Sequence, residues 1–342
     1  MAVLVIVVLL GGAYLVARPR LEITRTGDAG LLTALGEPDG VNAVAAVLVQ
    51  RGRPDRYAGI GADEHRPFEI GSNTKTLTGM LLADAVRRSE VSLEDRLGRW
   101  LDLGDSPAAG TTLLQLATHT SGLPREGAHT SFTLCWVVGT NCLGADEATV
   151  LADLRAASLT GQGTAAYSNL GVAALGQTLA RAAGTSQESL FRRITEPLGM
   201  TQTLVQTPAS GPLADRGYQP WGLRPQNWVM DGYQASGGLV STAADLGRYL
   251  RAVLERRAPG MAAIEPRVPM AADQVGHITD VQVGLLWLNG RLNGHRVLVH
   301  TGGTAGYRSV LMVDLDGGRA VAVLSNVNTP MGLLAERLLR QG

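Results

Sequence analysis

Ser72 and Lys75 stand three residues apart in the run Phe68-Glu69-Ile70-Gly71-Ser72-Asn73-Thr74-Lys75, and Lys75 is the only lysine among thirty basic residues. A chain that uses arginine at every other basic position keeps one ammonium where arginine will not serve. Lysine can lose its proton when buried and then act as a general base, whereas a guanidinium stays charged. A serine hydroxyl is a weak nucleophile until a neighbouring base takes its proton. On a helix the two side chains lie on one face, about one turn apart. If Ser72 opens that helix, the backbone N–H groups and dipole there favour negative charge developing beside the hydroxyl. Ser-x-x-Lys also arises by chance on helix surfaces, so the pair needs company before it means an active site.

Two further clusters supply it. Tyr167-Ser168-Asn169 precedes a helical pattern that begins near Leu170. A tyrosine facing Ser72 and Lys75 can relay a proton to a leaving group, while the Asn169 amide can bind a substrate carbonyl and orient Lys75. His300-Thr301-Gly302-Gly303 ends the apolar strand Val297-Leu298-Val299, and its two glycines permit close approach of a ligand backbone. The N–H of Gly303 would form an oxyanion hole with that of Ser72. His300 would donate a hydrogen bond or partial positive charge to a substrate carboxylate or to Tyr167. His119 and Ser121, two apart in a turn, read as capping groups rather than a catalytic pair.

The elements that must position these groups are legible in outline. Asn42 to Gln50 and Arg56 to Ala62 alternate as two strands of a hairpin around Arg51-Gly52-Arg53-Pro54-Asp55. Phe68 to Ile70 is a short strand, and Gly71 suits a tight bend into a helix over Ser72 to about Arg88. From about Val91 to Pro269 the chain is mainly helical, with helical spacing at Leu113–Ala117, Gly171–Ala182, Gln187–Glu196 and Thr242–Arg256. Thr242, three residues before Asp245, is a helix N-cap. Strands return at Val281–Leu288, Arg296–Thr301, Tyr307–Asp314 and Arg319–Ser325, with a hairpin turn at Asp316-Gly317-Gly318. A helix over about Met331–Arg340 closes the chain. Strands at both ends with helices between them predict an α+β fold: one antiparallel sheet built from both termini, flanked by helices, with a helical region (about 91–269) inserted between its halves.

Thirty acidic residues balance thirty basic ones, and no basic block or aromatic-basic stripe is present. Nucleic acid is excluded as a partner on that ground, leaving a small-molecule or peptide substrate. Ala2 to Ala17 is an apolar stretch ending at Arg18-Pro19-Arg20. Its sixteen residues would span about 24 Å as a helix, against a hydrocarbon core of ~30 Å. Residues 1–20 therefore read as a membrane anchor or an export signal, and residues 21–342 as the working domain. The arginines after the segment favour a cytoplasmic domain by the positive-inside rule. Cysteine usage points the other way: Cys135 and Cys142, the only two, read as a loop-closing disulfide of an oxidising compartment, the alternative being two buried thiols. The expected location is periplasmic or otherwise extracytoplasmic, with possible inner-membrane anchoring through residues 2–17. No metal or organic cofactor is expected, and nothing in the sequence fixes an oligomeric state.

Taken together, Ser72-x-x-Lys75, Tyr167-Ser168-Asn169 and His300-Thr301-Gly302 resemble the three motifs of the serine β-lactamase and penicillin-binding-protein superfamily, in its class C-like branch. The resemblance spans about Asn42 to Leu339, and the separations (95 residues from 72 to 167, 133 from 167 to 300) fit that branch. Leu113–Pro124 and Ala235–Thr242 also look familial and read as structural turns and helix starts. The resemblance implies a β-lactamase/transpeptidase-like fold, acylation of Ser72 by a carbonyl substrate and transfer of the acyl group to water. Efficient β-lactamases of the branch carry Lys-Thr-Gly as third motif, where this chain has His300. Strong β-lactam hydrolysis is therefore not expected, and a D-alanyl peptide and an ester are equal candidates as substrate. A carboxylesterase, or a non-catalytic penicillin-binding-like module, are the alternatives.

Overall fold

Val44–Gln50 reads Val-Ala-Ala-Val-Leu-Val-Gln, and every residue of it is buried. A strand without a polar face must be covered on both sides. In the computed structural model, which describes residues 18–130, 132–211, 213, 215–271 and 276–341, it lies inside a nine-stranded antiparallel sheet. In chain order the strands of the structure are β1 (Arg25–Gly27), β2 (Val44–Gln50), β3 (Arg56–Ile60), β4 (Phe68–Glu69), β5 (Leu204–Val205), β6 (Leu239–Ser241), β7 (Val268–Pro269), β8 (Thr279–Val283), β9 (Leu288–Leu292), β10 (His295–Gly303), β11 (Arg308–Asp314) and β12 (Arg319–Ser325). The large sheet runs β1-β3-β2-β12-β11-β10-β9-β8-β7, and β4-β6-β5 form a small separate one. The halves from the two chain ends meet where β2 pairs β12, with Val47 opposite Ala322. This is the sheet expected from the strand pattern, and the apolar segment Ala2–Ala17 lies outside the described residues.

The helices are α1 (Ala29–Leu35), α2 (Thr74–Arg87), α3 (Leu113–Ala117), α4 (Phe132–Val138), α5 (Glu147–Ala156), α6 (Asn169–Ala182), α7 (Gln187–Thr195), α8 (Gln234–Gly237), α9 (Ala243–Leu254) and α10 (Gly332–Leu339). Alternation divides the sheet between two cores. Val47, Val49, Leu298, Leu311 and Ala322 join the core on the side of the helical region. Val44, Ala46, Leu48, Val299, Val310 and Val323 face the other way, where Leu31 and Leu35 of α1 and Ala335 and Leu338 of α10 cover them. Helix α9, capped by the Thr242 hydroxyl accepting from Asp245 N–H at 3.2 Å, lies on the sheet. A methyl at Gly247 would stand 3.1 Å from Val47 Cγ2, so the missing side chain sets that approach.

Two expectations about strands are corrected. Val281–Leu288 is not one strand: it breaks between β8 and β9 into a turn closed by Gly284 N–H to Trp287 O at 2.8 Å, with Leu286 at φ +64°. The turn inserts toward α2, where a methyl at Gly79 would fall 1.9 Å from the Leu285 carbonyl oxygen. Tertiary packing outweighed an apolar run that looked continuous. Phe68–Glu69 also pairs with Leu239–Ser241 rather than joining the large sheet. The cysteines form the expected disulfide, Cys135–Cys142. No helix among the described residues is long and apolar enough to cross a membrane.

Candidate active site

The chain reaches Ser72 through a backbone contact that only glycine allows. Gly71 has φ +49°, and a methyl there would stand 2.7 Å from Gly303 N. A methyl at Gly302 would fall 1.9 Å from the Ile70 carbonyl oxygen. Strand β10 therefore runs directly beside residues 70 and 71, and Gly302 packs against Ile70 rather than lining the cleft. Hydrogen bonds fix the register: Asn73 Nδ2 donates to Ser309 Oγ at 2.7 Å, and that hydroxyl donates to Ile70 O at 2.7 Å. Ser72 itself sits in a single 3-10 turn, Gly71–Asn73, and α2 begins only at Thr74. The expected one-turn neighbourhood of Ser72 and Lys75 survives this shift.

Lys75 is fully buried. Its Nζ donates to Asn169 Oδ1 at 2.7 Å and to the Ser236 carbonyl oxygen, and lies 3.2 Å from Ser72 Oγ. Both Asn169 Oδ1 and the carbonyl can only accept. A neutral amine has two N–H donors for them and one lone pair left to face the Ser72 hydroxyl. Burial pushes the Lys75 amine well below its ordinary pKa, the Arg125 charge lowers it further, and Glu126 acts against both. The orientation of Asn169 follows from its other end, where Nδ2 donates to Glu126 Oε1 at 3.2 Å. Asn169 is the first residue of α6, and the Ser168 hydroxyl caps that helix by accepting from Gly171 N–H at 2.9 Å.

Tyr167 is clamped from several directions. The Lys75 Nζ lies 4.8 Å from its ring centroid, the Arg125 guanidinium 5.0 Å, and the His119 ring stacks on it at 4.7 Å. Burial raises the phenol to about 12, with a hydrogen bond to Ser72 and the Arg125 charge acting against it. His119 holds φ +57°, and its Nδ1 accepts from Ser168 N–H at 3.3 Å. Ser121 accepts from Leu123 N–H at 3.2 Å. The two are turn residues, as the sequence implied, but His119 also supports the tyrosine.

His300 differs from the expected donor. Its Nδ1 is 2.9 Å from the Thr301 carbonyl oxygen, which only accepts, so the proton sits on Nδ1. Nε2 then carries a lone pair, and it is buried without a hydrogen-bond partner. Burial, reinforced by Lys75, brings the imidazole down to about 3 despite the opposing Thr301 bond. The ring is neutral and offers an acceptor, not a cation.

These groups border one cleft of about 880 Å³, whose lining includes Ser72, Tyr167, Asn169, His300, Thr301 and Gly303. Lys75 lies behind Ser72 in its wall. No side-chain signal in the sequence marks the Ser236 carbonyl, because every residue carries one. Its placement comes from Thr78 Oγ1 donating to Ala235 O at 2.8 Å, which docks α8 on α2. Glu126 and Arg125, joined at 3.2 Å, were likewise invisible, lying in a loop without periodicity. Among the described residues no group of three or more His, Cys, Asp or Glu side chains could hold a metal ion.

The family model described as Beta-lactamase matches residues 29–341. The chain belongs to the beta-lactamase family. It is 25% identical over 283 residues to a beta-lactamase of Escherichia coli K12, covering 75% of this chain and 68% of that protein. It is 34% identical over 193 residues to the D-alanyl-D-alanine-carboxypeptidase/endopeptidase AmpH of the same strain, covering 54% of this chain and 48% of that protein. The chain thus spans about half to two thirds of the length of these curated relatives. A class C beta-lactamase from Rhodobacter sphaeroides shares the fold at TM-score 0.72 and 19% identity, over 91% of this chain and 97% of that one. The chain carries the mixed α+β fold of the class C-like structures it resembles.

Proposed function

We propose that the protein hydrolyses a carbonyl substrate, a D-alanyl peptide, β-lactam or ester, through an acyl-enzyme on Ser72. Lys75 takes the Ser72 proton as Oγ attacks the carbonyl carbon. The N–H groups of Ser72 and Gly303 hold the oxyanion. As the tetrahedral intermediate collapses, the proton passes from Lys75 through Tyr167 to the leaving group. Water then repeats the sequence on the ester, and Ser72 is regenerated with its proton. Asn169 orients Lys75 and meets the substrate amide, while His300 and Thr301 form the opposite edge. The observation that carries this reading is the buried Lys75 amine, with both N–H groups taken by acceptors and Ser72 Oγ 3.2 Å from its nitrogen.

The relatives' names, beta-lactamase and D-alanyl-D-alanine-carboxypeptidase/endopeptidase, support a peptide or lactam substrate. The neutral His300 supports the second reading, an esterase for short acyl groups. We place the hydrolase outside the cytoplasm, anchored or exported through residues 2–17, on the strength of that apolar segment and the Cys135–Cys142 disulfide. Intact-mass spectrometry after exposure to benzylpenicillin, a D-Ala-D-Ala peptide and nitrophenyl acetate tests the assignment. A covalent adduct is expected on Ser72 and none on Ser72→Ala. Labelling that survives the substitution would remove Ser72 from its role.

A further inference from the structure

Seven large apolar side chains are exposed among the described residues, and five of them border the cleft. Val137, Val138, Trp221 and Leu223 meet on the outer side of one cleft wall, and Leu333 lines the cleft itself. Two loops build this rim. The first is the end of α4, closed by the Cys135–Cys142 bond, where Trp136 lines the cleft and the next two valines are exposed. The second is a tight turn in which Gln219 N–H donates to Leu223 O and Gly222 N–H to Gln219 O, both at 2.8 Å. Gln219 Nε2 donates to the Trp136 carbonyl oxygen, and Gln226 N–H donates to Gly139 O at 2.7 Å. A methyl at Gly139 would stand 3.1 Å from Leu223 Cδ2, so the two loops touch and their apolar tips form one surface.

Single exposed apolar residues are ordinary, but a cluster of them marks a contact with a partner or a membrane. The place where the apolar stretch Ala2–Ala17 joins the fold favours the membrane. That stretch leads into the described residues at Arg18. A methyl at Gly40 would stand 3.3 Å from Arg18 Nη2 and 3.8 Å from Thr329 Oγ1, which puts Arg18 beside residues 328–330. Asn328 N–H donates to Tyr218 O at 3.1 Å, at the base of the Trp221 turn, and Pro330 lines the cleft. The apolar stretch therefore meets the domain between the rim and the cleft. Arg216 and Arg224 are exposed on either side of the turn, with Asp215 paired to Arg224 at 3.1 Å. Guanidinium groups beside apolar tips suit an anionic headgroup layer, where tryptophan also concentrates.

We propose that this rim docks on the lipid bilayer that holds residues 2–17, seating Val137, Val138, Trp221 and Leu223 among the headgroups and keeping the cleft mouth at the membrane surface. An anchor alone leaves a tethered domain free to tumble, whereas the rim fixes the face it turns to the lipid. The docking rests on reading residues 2–17 as a retained anchor and not on the chemistry of the cleft.

None of the five tryptophans lies in residues 1–20, so quenching of their emission by lipid reports on the domain alone. Full-length protein is reconstituted into vesicles of phosphatidylethanolamine and phosphatidylglycerol, with and without bromine on the acyl chains. Brominated lipid is expected to quench the native emission, and Trp221→Phe to remove most of that quenching. Val138→Asp combined with Leu223→Asp should abolish it with Trp221 still in place, because carboxylates at the rim are repelled by the anionic surface. Thermal melts check that each variant is folded. Emission indifferent to bromine, or quenching that survives either Trp221→Phe or the double aspartate variant, overturns the docking. A rim covered by a second copy would give a dimer by native mass spectrometry in detergent and no quenching by brominated lipid, which overturns it equally. Flotation with vesicles in high salt tests the anchor separately. Protein that fails to float removes the anchored reading and the docking with it, whereas protein that floats without quenching removes only the docking.

Discussion

Replacing Lys75 by arginine isolates the one property on which the chemistry depends. The substitution keeps a cation and its donors but removes the accessible neutral form, since a guanidinium does not deprotonate in a protein. The site is closed: Lys75 has no exposed surface, and its nitrogen is held by Asn169 and Ser236. General-base catalysis contributes about 10²–10⁴ in rate, or about 2.7–5.4 kcal/mol of barrier. Acylation by a neutral activated ester should fall by that factor. A Lys75→Met companion separates chemistry from packing. It abolishes the base and leaves Asn169 Oδ1 and the Ser236 carbonyl without a donor, costing about 1–3 kcal/mol each in stability. Acylation rates would be read by intact mass against time, with circular dichroism and thermal melts on the same samples. In the native protein the rate should climb with pH and level off well below pH 10, because burial favours the neutral amine. Labelling of folded Lys75→Arg within about threefold of the native rate would refute the argument, since a proton acceptor worth less than one factor of ten is not the base.

Two further outcomes follow from the same electrostatics. Asn169→Asp places a carboxylate against Lys75 and Glu126; it should stabilise the ammonium, move the rising limb of the acylation profile to higher pH by a unit or more, and slow the neutral-pH rate roughly tenfold. An unchanged profile would mean that Asn169 does not govern Lys75. The buried histidines His119 and His300 are each held down to about 3, whereas unfolded histidine titrates near 6.5. Between those values the unfolded chain binds protons that the folded one refuses, so each group makes stability fall as pH falls, by at most about 1.4 kcal/mol per pH unit. Glu69, fully buried and raised to about 7, acts oppositely between its unfolded value near 4.5 and 7, because there the folded state holds the extra proton. Glu69→Gln removes that opposition, so denaturant melts should show a steeper loss of stability between pH 6.5 and 4.5 than in the native protein. Parallel slopes for the two proteins would count against a raised Glu69.

Much of the site was legible because its parts are local. A serine and a lysine three apart stay near each other in any helical turn, even though Ser72 proved to lie in a 3-10 turn before α2. The Ser168 cap and the Asn169 helix start are set by neighbours in the chain, and so is the Thr242 cap. Two-residue alternation in the outer segments dictates a sheet with one core on each face. Long-range closure decided the remainder. Nothing in Val281–Leu288 announced the break at Gly284, which exists because the turn docks on Gly79. Which backbone oxygen would meet Lys75 depended on α8 packing against α2. The protonation of Lys75, His119 and His300 is likewise a property of burial and of charges from distant segments, since residue type sets only the starting pKa. Residue order along the chain determined which chemical groups were available and their local geometry. The fold decided their solvation and their neighbours, because the short-range forces that shape a turn carry no information about what will be packed over it.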